Sequence, residues 1–322
     1  MTSSETLLSI IVPAHNEEHC LGALHAELSR VLGRLGLGHE LIFVDDGSSD
    51  GTAAELARLR REDPAVAVVA LGRRFGHQLA LSAGLEYARG DAVIMMDADL
   101  QHPPRLIHEM IRRHEQGFDV VYTTRKDAGH IPFFKRITSR WFYRLINSIS
   151  DIRIEPAAAD FRLLSHKAVI AYRRLSERGR FARGLITWIG FRQCAIEYEP
   201  GVREAGSSKY SLKKMVRLAL DGITSFSARP LRVSLGLGLV LVLLSVSYAA
   251  YALAVWASGE AMQGWTSILI SVLLIGGVQL VSIGVVGEYV GRVFTEVKGR
   301  PLYLIDEDTV ERESCLSAAL SE

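Results

Sequence analysis

Short apolar runs alternate with amphipathic stretches through the first 125 residues. LLSIIVPA (7–14), HELIFVDDG (39–47), AVAVVAL (65–71), DAVIMMD (91–97) and FDVVYTT (118–124) read as buried strands. Between them the pattern predicts helices from about Glu17 to Leu35, from near Ser49–Gly51, from about His77 to Ala88, and after Pro104. Strands this apolar, alternating with helices, imply an α/β domain with a mostly parallel sheet covered on both faces.

The C-terminal third follows another pattern. Val233 to Trp256 is 24 residues without a charge, and Ala261 to Gly287 is another 27. Both exceed the roughly 20 apolar residues that a helix needs to cross a bilayer. The polar break between them, SGE, has no Lys or Arg. Lys209, Lys213, Lys214, Arg217, Arg229 and Arg232 precede the pair, and Arg292, Lys298 and Arg300 follow it. This asymmetry predicts a two-helix hairpin with both flanks, and so both termini, cytoplasmic. The start, MTSSETLLSIIVPAHNEE, has no basic segment before its apolar run, and Pro13 interrupts that run, so no signal peptide is expected.

Two further stretches have one apolar side. In HIPFFKRITSRWFYRLIN (130–147), Phe133, Phe134, Ile137, Trp141, Phe142 and Leu145 share a helical side with basic residues interleaved. That predicts an interfacial helix over about 131–148, lying among lipid headgroups. A second amphipathic stretch, Ser211 to about Phe226, leads into the first span.

Composition changes little. The 322 residues carry 37 Lys+Arg against 36 Asp+Glu, a net charge of +1, which singles out no polyanionic partner such as nucleic acid. Cys20, Cys194 and Cys315 lie too far apart for a zinc spacing or a disulfide framework, as expected of a cytosol-facing chain.

Chemistry enters at the strand ends. Ligands on parallel sheets bind beyond the carboxyl ends of the strands. Three of the predicted strands end in Asn16-Glu17, Asp45-Asp46, and Asp97 with Asp99. Neither GxGxxG nor GxxxxGK[ST] occurs, so no glycine-rich loop cradles a phosphate. Asp97, Asp99 and Gln101 instead offer oxygen ligands suited to Mg²⁺ or Mn²⁺, a cation able to manage a nucleotide's phosphates. Asp45 or Asp46 has a competing use, capping the turn before Gly47.

VPAHNEE, VDDGSSDGT, RRFGHQLALSAG, MMDADLQHPP, ADFRLL (159–164) and VREAGSSKYS (202–211), followed by the apolar pair, resemble the inverting family 2 glycosyltransferases with a GT-A fold. Within that family the chain is similar to the polyprenyl-phosphate group, which includes dolichol-phosphate mannose synthases and bacterial undecaprenyl-phosphate glucosyl- and aminoarabinosyltransferases. The resemblance runs from residue 7 to about 300.

It implies transfer of a hexose from a UDP- or GDP-linked nucleotide-sugar onto a membrane polyprenyl phosphate, in a bacterial inner membrane, with Mg²⁺ or Mn²⁺ as cofactor. Pro13, Ala14, Asn16, Glu17, Asp46, Arg73, His77 and Asp97 are then expected at the donor, His77 standing where one relative has lysine. Asp97, Asp99 and Gln101 would hold the metal, and Asp160, Asp99 and Arg203 would serve catalysis. Arg125, Lys135, Arg136, Ser139, Ser207, Lys209 and Tyr210 would receive the acceptor phosphate. Because a phosphate monoester is already ionised near neutrality, Asp160 is expected to position substrate rather than abstract a proton.

The expected layout is a catalytic domain over 1–210, a juxtamembrane helix over 211–230, the hairpin over 231–291 and a cytosolic tail over 292–322, disordered after Ile305, with homo-oligomers feasible through the membrane helices. A processive synthase would need more spans and a QxxRW-type motif. A silent scaffold or a nucleotide-sugar hydrolase stands as the alternative.

Overall fold

A computed structural model describes residues 7–126, 158–199, 227–258 and 264–308. The chain divides into two units. One comprises Met1–Tyr143, Ile152–Tyr210 and Pro301–Glu322; the other comprises Arg144–Asp151 and Ser211–Arg300.

The first unit is built on an eight-stranded sheet. Its strands are β1 (Leu7–Ala14), β2 (Gly38–Asp45), β3 (Val66–Leu71), β4 (Ala92–Met95), β5 (Val120–Arg125), β6 (Ala158–Ser165), β7 (Gln193–Tyr198) and β8 (Ile305–Asp308). Its helices are α1 (Leu21–Leu35), α2 (Thr52–Glu62), α3 (His77–Tyr87), α4 (Ile107–Glu115), α5 (His166–Arg173) and α6 (Ala182–Ile189). All five strands and four helices expected before residue 125 are present. The strand order is β7-β5-β6-β4-β1-β2-β3-β8. β4, β1, β2 and β3 run parallel, as expected for βαβ crossovers.

The central strands β1, β2 and β4 are dry on both faces. Leu8, Ile10 and Val12 of β1 join Leu41, Phe43 and Ile94 in a core with Leu21, Leu24 and Leu28 of α1. Ile11 faces the other way, toward α3. That helix lies close because Gly84 has no side chain: a Cβ there would run into the Cγ2 of Ile11.

Two strands depart from the expected pattern. β6 carries ADFRLL and inserts antiparallel between β4 and β5. Its register pairs Met95 with Arg162. Two residues onward along β4 and two back along β6, Asp97 and Asp160 arrive at the same level of the sheet. β8 pairs antiparallel with β3, joined by a bond from the Gly72 amide to the Leu304 carbonyl (2.9 Å). The tail is therefore ordered through Asp308, further than the sequence suggested.

The second unit contains α7 (Arg229–Ala257) and α8 (Trp265–Val297). Both are long and apolar enough to cross a membrane. At 1.5 Å per residue they measure about 44 and 50 Å, more than the roughly 30 Å of a hydrocarbon core. Their large side chains, Leu235, Leu243, Leu280 and Ile283 among them, are exposed along their length. Within this unit Tyr289 of α8 donates to the Ser227 carbonyl just before α7 (2.6 Å).

Candidate active site

The loops after β1, β2 and β3 are locked together. Asn16 takes a left-handed conformation (φ 58°). Its side-chain oxygen accepts from the Ser49 amide (2.8 Å), and its own amide donates to Ser48 Oγ (3.0 Å). The Glu17 amide donates to Thr52 Oγ1 (2.9 Å). Asp45 caps its turn, accepting from the Ser48 amide (3.0 Å) and hydroxyl (2.5 Å).

Asp46 has a different use. It is 3% exposed, and its carboxylate accepts from the amides of Phe75 (2.6 Å) and Gly76 (2.9 Å). Asp46, expected at the nucleotide, fixes the loop that carries Arg73 and His77. Pro13 and Ala14 close β1 beside this assembly, Pro13 opposite Val44 and Ala14 opposite Asp45.

The loop after β4 is braced from inside. The Asp97 amide donates to Nδ1 of His102 (3.0 Å), which makes His102 a neutral imidazole with its proton on Nε2, 3.6 Å from Asp97 Oδ2. His102 is 1% exposed and stacks on Phe161. Burial, stronger than the pull of Asp97 and Asp99, lowers its pKa and keeps it neutral. Leu100 adopts φ 60°, and the Gln101 amide donates to Asp99 Oδ1 (3.1 Å).

The Gln101 side-chain oxygen, expected on the metal, accepts from Arg125 Nη2 (3.0 Å). Arg125, expected on the acceptor phosphate, also donates through Nε to the Tyr198 hydroxyl (3.1 Å). As placed, Arg125 and Gln101 buttress the carboxylate loop against β7.

Asp97 Oδ1 is buried with no hydrogen-bond partner among the described residues. A buried carboxylate oxygen that makes no hydrogen bond, with His77 Nε2 3.4 Å away, is a donor suited to a hard cation. Among the described residues, no cluster of three or more His, Cys, Asp or Glu side chains could hold a metal alone. The donor set therefore fits a cation that also takes ligands from a phosphate, as Mg²⁺ commonly does.

Asp160 is the hub. It is 8% exposed, and Arg183 of α6 binds it side-on, Nε to Oδ1 at 2.6 Å and Nη2 to Oδ2 at 2.9 Å. His77, at the start of α3, places Nε2 3.5 Å from Asp160 Oδ2 and 3.4 Å from Asp97 Oδ1. Gln78 ties the two helices together by accepting from the Ala182 amide (2.9 Å). Burial alone would raise the Asp160 carboxyl; the His77 hydrogen bond and the Arg183 charge outweigh it and hold the group far below the carboxylate range. For His77, desolvation opposes the charge, but Asp160 and Asp97 prevail and raise its pKa. Arg162, buried over Tyr122, is lowered to about 10 by desolvation and stays charged.

Asp97, Asp160 and His77 thus meet in one place; Asp99, two residues along the same loop, lies close enough to His102 for its charge to act there. Lys135, Arg136, Ser139, Arg203, Ser207, Lys209 and Tyr210, the interfacial helix over 131–148 and residues 211–226 lie outside the described residues. The sequence reading missed His102, Arg162, Gln78, Tyr198 and Arg183. The first three sit inside motifs already singled out, and strand alternation puts Arg162 on the Asp160 face. Nothing in RGRFARG distinguishes Arg183 from its neighbours.

A family model described as "Glycosyl transferase family 2" matches residues 9–173, and one described as "GtrB C-terminal hairpin" matches residues 229–293. An uncharacterized glycosyltransferase of Synechocystis sp. is 44% identical over 301 residues, covering 93% of this chain and 95% of that protein. A prophage-derived bactoprenol glucosyl transferase of Shigella flexneri is 40% identical over 299 residues, covering 92% and 97%. Among solved structures, mannosyl-3-phosphoglycerate synthase of Rubrobacter xylanophilus is 17% identical, with a TM-score of 0.47 over 67% of this chain and 71% of that one.

Proposed function

The chain belongs to glycosyl transferase family 2, and from that premise we propose that it transfers glucose from a nucleotide-sugar to the phosphate of a membrane polyprenyl phosphate. The sugar and acceptor follow the name of the Shigella relative. The observation that carries the reading is the convergence of Asp97 and Asp160 at one level of the sheet, bridged by His77.

The reaction needs little proton chemistry. An oxygen of the acceptor phosphate attacks the anomeric carbon as the bond to the nucleoside diphosphate breaks; attack opposite the leaving group inverts the centre. A phosphate monoester has its second pKa near 6 and is largely dianionic at pH 7. Asp160, ionised and held by Arg183 and His77, positions groups and accepts no proton.

Asp97 and Asp99 are the residues that would hold Mg²⁺ or Mn²⁺. Such an ion, when bound, neutralises a departing diphosphate. His102 and the Arg125–Gln101–Tyr198 brace keep both carboxylates in place. The apolar helices, with basic residues on both flanks, support a bacterial inner-membrane protein with its catalytic unit and both ends in the cytoplasm.

The test is label transfer into organic solvent by purified full-length protein, with undecaprenyl phosphate and labelled UDP-glucose or GDP-mannose. Transfer from UDP-glucose is expected, abolished by chelator, restored by Mg²⁺ or Mn²⁺, and at least about 10²-fold slower in Asp97→Asn. Free sugar without lipid product would indicate a hydrolase and overturn the proposal.

A further inference from the structure

His77 bridges Asp97 and Asp160 from the first residue of α3, so its position depends on the loop that leads there from β3. That loop, residues 72–76, is fastened at two points. Near its end the Asp46 carboxylate accepts from the amides of Phe75 and Gly76. At its start the partner comes from the other end of the chain. β2 pairs with β3 as far as Ala70, whereas β8 pairs on to Leu71, and the Leu304 carbonyl then takes the Gly72 amide (2.9 Å).

α3 is gripped as well. At its last residue the Tyr87 hydroxyl donates to Asp308 Oδ2 (2.9 Å), a bond between positions 221 residues apart. Tyr303 is half-buried, close enough to Glu86 and Tyr87 for them to act on its phenol. Residues 303–308 thus hold the segment from Gly72 to Tyr87 at both of its ends, with His77 and Gln78 between.

We propose that β8 and the two residues before it are a positioning element of the active site: they set the β3–α3 loop, and through it His77, for donor binding. This role rests on the function proposed above, with Arg73 and His77 at the donor as the family resemblance implies. The strand suits the task. β8 has four residues, three of them acidic, so it brings little apolar surface to a core. What it brings is backbone pairing and the Asp308 carboxylate, and both fall on the segment that carries His77. A short acidic strand is also a safe outer edge for the sheet, because it resists pairing with a further chain. β8 follows α8 in sequence, so the loop gains this anchor only after both apolar helices have been made.

The experiment compares the full-length protein with three shortened chains, ending at Asp308, Leu304 and Arg300, all in nanodiscs. Hydrogen exchange over residues 72–77 reads the loop without any substrate. Calorimetry gives UDP affinity, and label transfer gives the KM of each substrate. The chain ending at Asp308 keeps β8 and is expected to match wild type throughout. In the chain ending at Arg300, exchange over 72–77 should quicken about tenfold or more. Its UDP affinity should weaken and its UDP-glucose KM rise by about fivefold or more, with acceptor KM within about twofold of wild type. The chain ending at Leu304 is expected to fall between the two. A strand that merely added stability would lower the active fraction, which appears in kcat and leaves KM and UDP affinity unchanged.

Unchanged exchange over 72–77 in the chain ending at Arg300, or a loss confined to kcat, overturns the inference. So does a loss already complete in the chain ending at Asp308, which would assign the effect to residues 309–322. If the chain ending at Arg300 does not fold, the chain ending at Leu304 decides by the same readings. No lipid product from the wild-type protein overturns the proposed function; the exchange reading, which involves no substrate, still decides whether β8 sets the loop.

Discussion

Gly47 shows how little freedom the loops after β2 and β3 have. It sits at φ 62°, and a Cβ there would lie 2.5 Å from the backbone of Arg73 and Arg74. The turn after β2 is pressed against the loop after β3, and the Asp46 carboxylate clips the two together. Gly47→Ala adds left-handed strain to that collision and is expected to cost about 2 kcal/mol or more in unfolding free energy. UDP affinity, read by calorimetry, should fall with it.

Asp160 is a second test at this scale. Because Arg183 and His77 hold its carboxyl ionised, the acid limb of the rate profile should belong to the acceptor. The rate rises through about pH 6 as the phosphate loses its second proton. A phosphonate acceptor, whose second ionisation lies higher, should move that limb upward. Asp160→Asn should slow transfer and leave the limb where it is; a limb that vanishes in the variant would mean that Asp160 titrates. Asp97, Asp99 and Asp160 were legible in the sequence because each carboxylate interrupts or ends an apolar run. Arg183 was not, since its role depends on α6 meeting β6 and no local pattern encodes that meeting.

Among the elements, the parallel strands β1 to β4 could be read directly, because strands dry on both faces are nearly uninterrupted apolar runs. β6 could not. Asp160 and Arg162 break its run, and both are tolerated inside only because Arg183 and Tyr122 lie against them. β8 has four residues, three of them acidic, and reads as tail until its pairing with β3 is seen.

Tyr303, just before β8, reports that docking. Burial, helped by the nearby Glu86, pushes its phenol up to about 12 from 10. Above pH 10 the unfolded chain loses a proton that the folded chain retains. The contribution of Tyr303 is therefore full below pH 10 and lost as pH climbs toward 12. Thermal unfolding of the wild type should fall more steeply over this window than that of Tyr303→Phe; parallel slopes would mean that the ring is not held in the sheet.

For the whole molecule the decisive quantity is where the bilayer ends along α8. By length and hydropathy a span fits Leu274–Val297, but that range includes Glu288, Arg292 and Glu296. Each charge near the bilayer centre costs about 2.5–3.5 kcal/mol, whereas Trp265–Gly287 carries none and already measures about 35 Å. On the proposed topology the pairing of Glu288 with Arg292 at 3.3 Å marks the exit into the aqueous phase, and the last ten residues of α8 project about 15 Å beyond it. The proposed topology puts that end in the cytoplasm, with the polar break at Ser258–Glu260 outside. A membrane-impermeant maleimide on intact cells tests this, with Cys20 and Cys194 replaced by serine. Glu260→Cys is expected to label from outside, and the native Cys315 only after the cells are opened. Labelling of Cys315 on intact cells would put the C-terminus, and the β8 strand that completes the sheet, on the side opposite to a cytoplasmic nucleotide-sugar, and neither the topology nor the donor assignment would survive it.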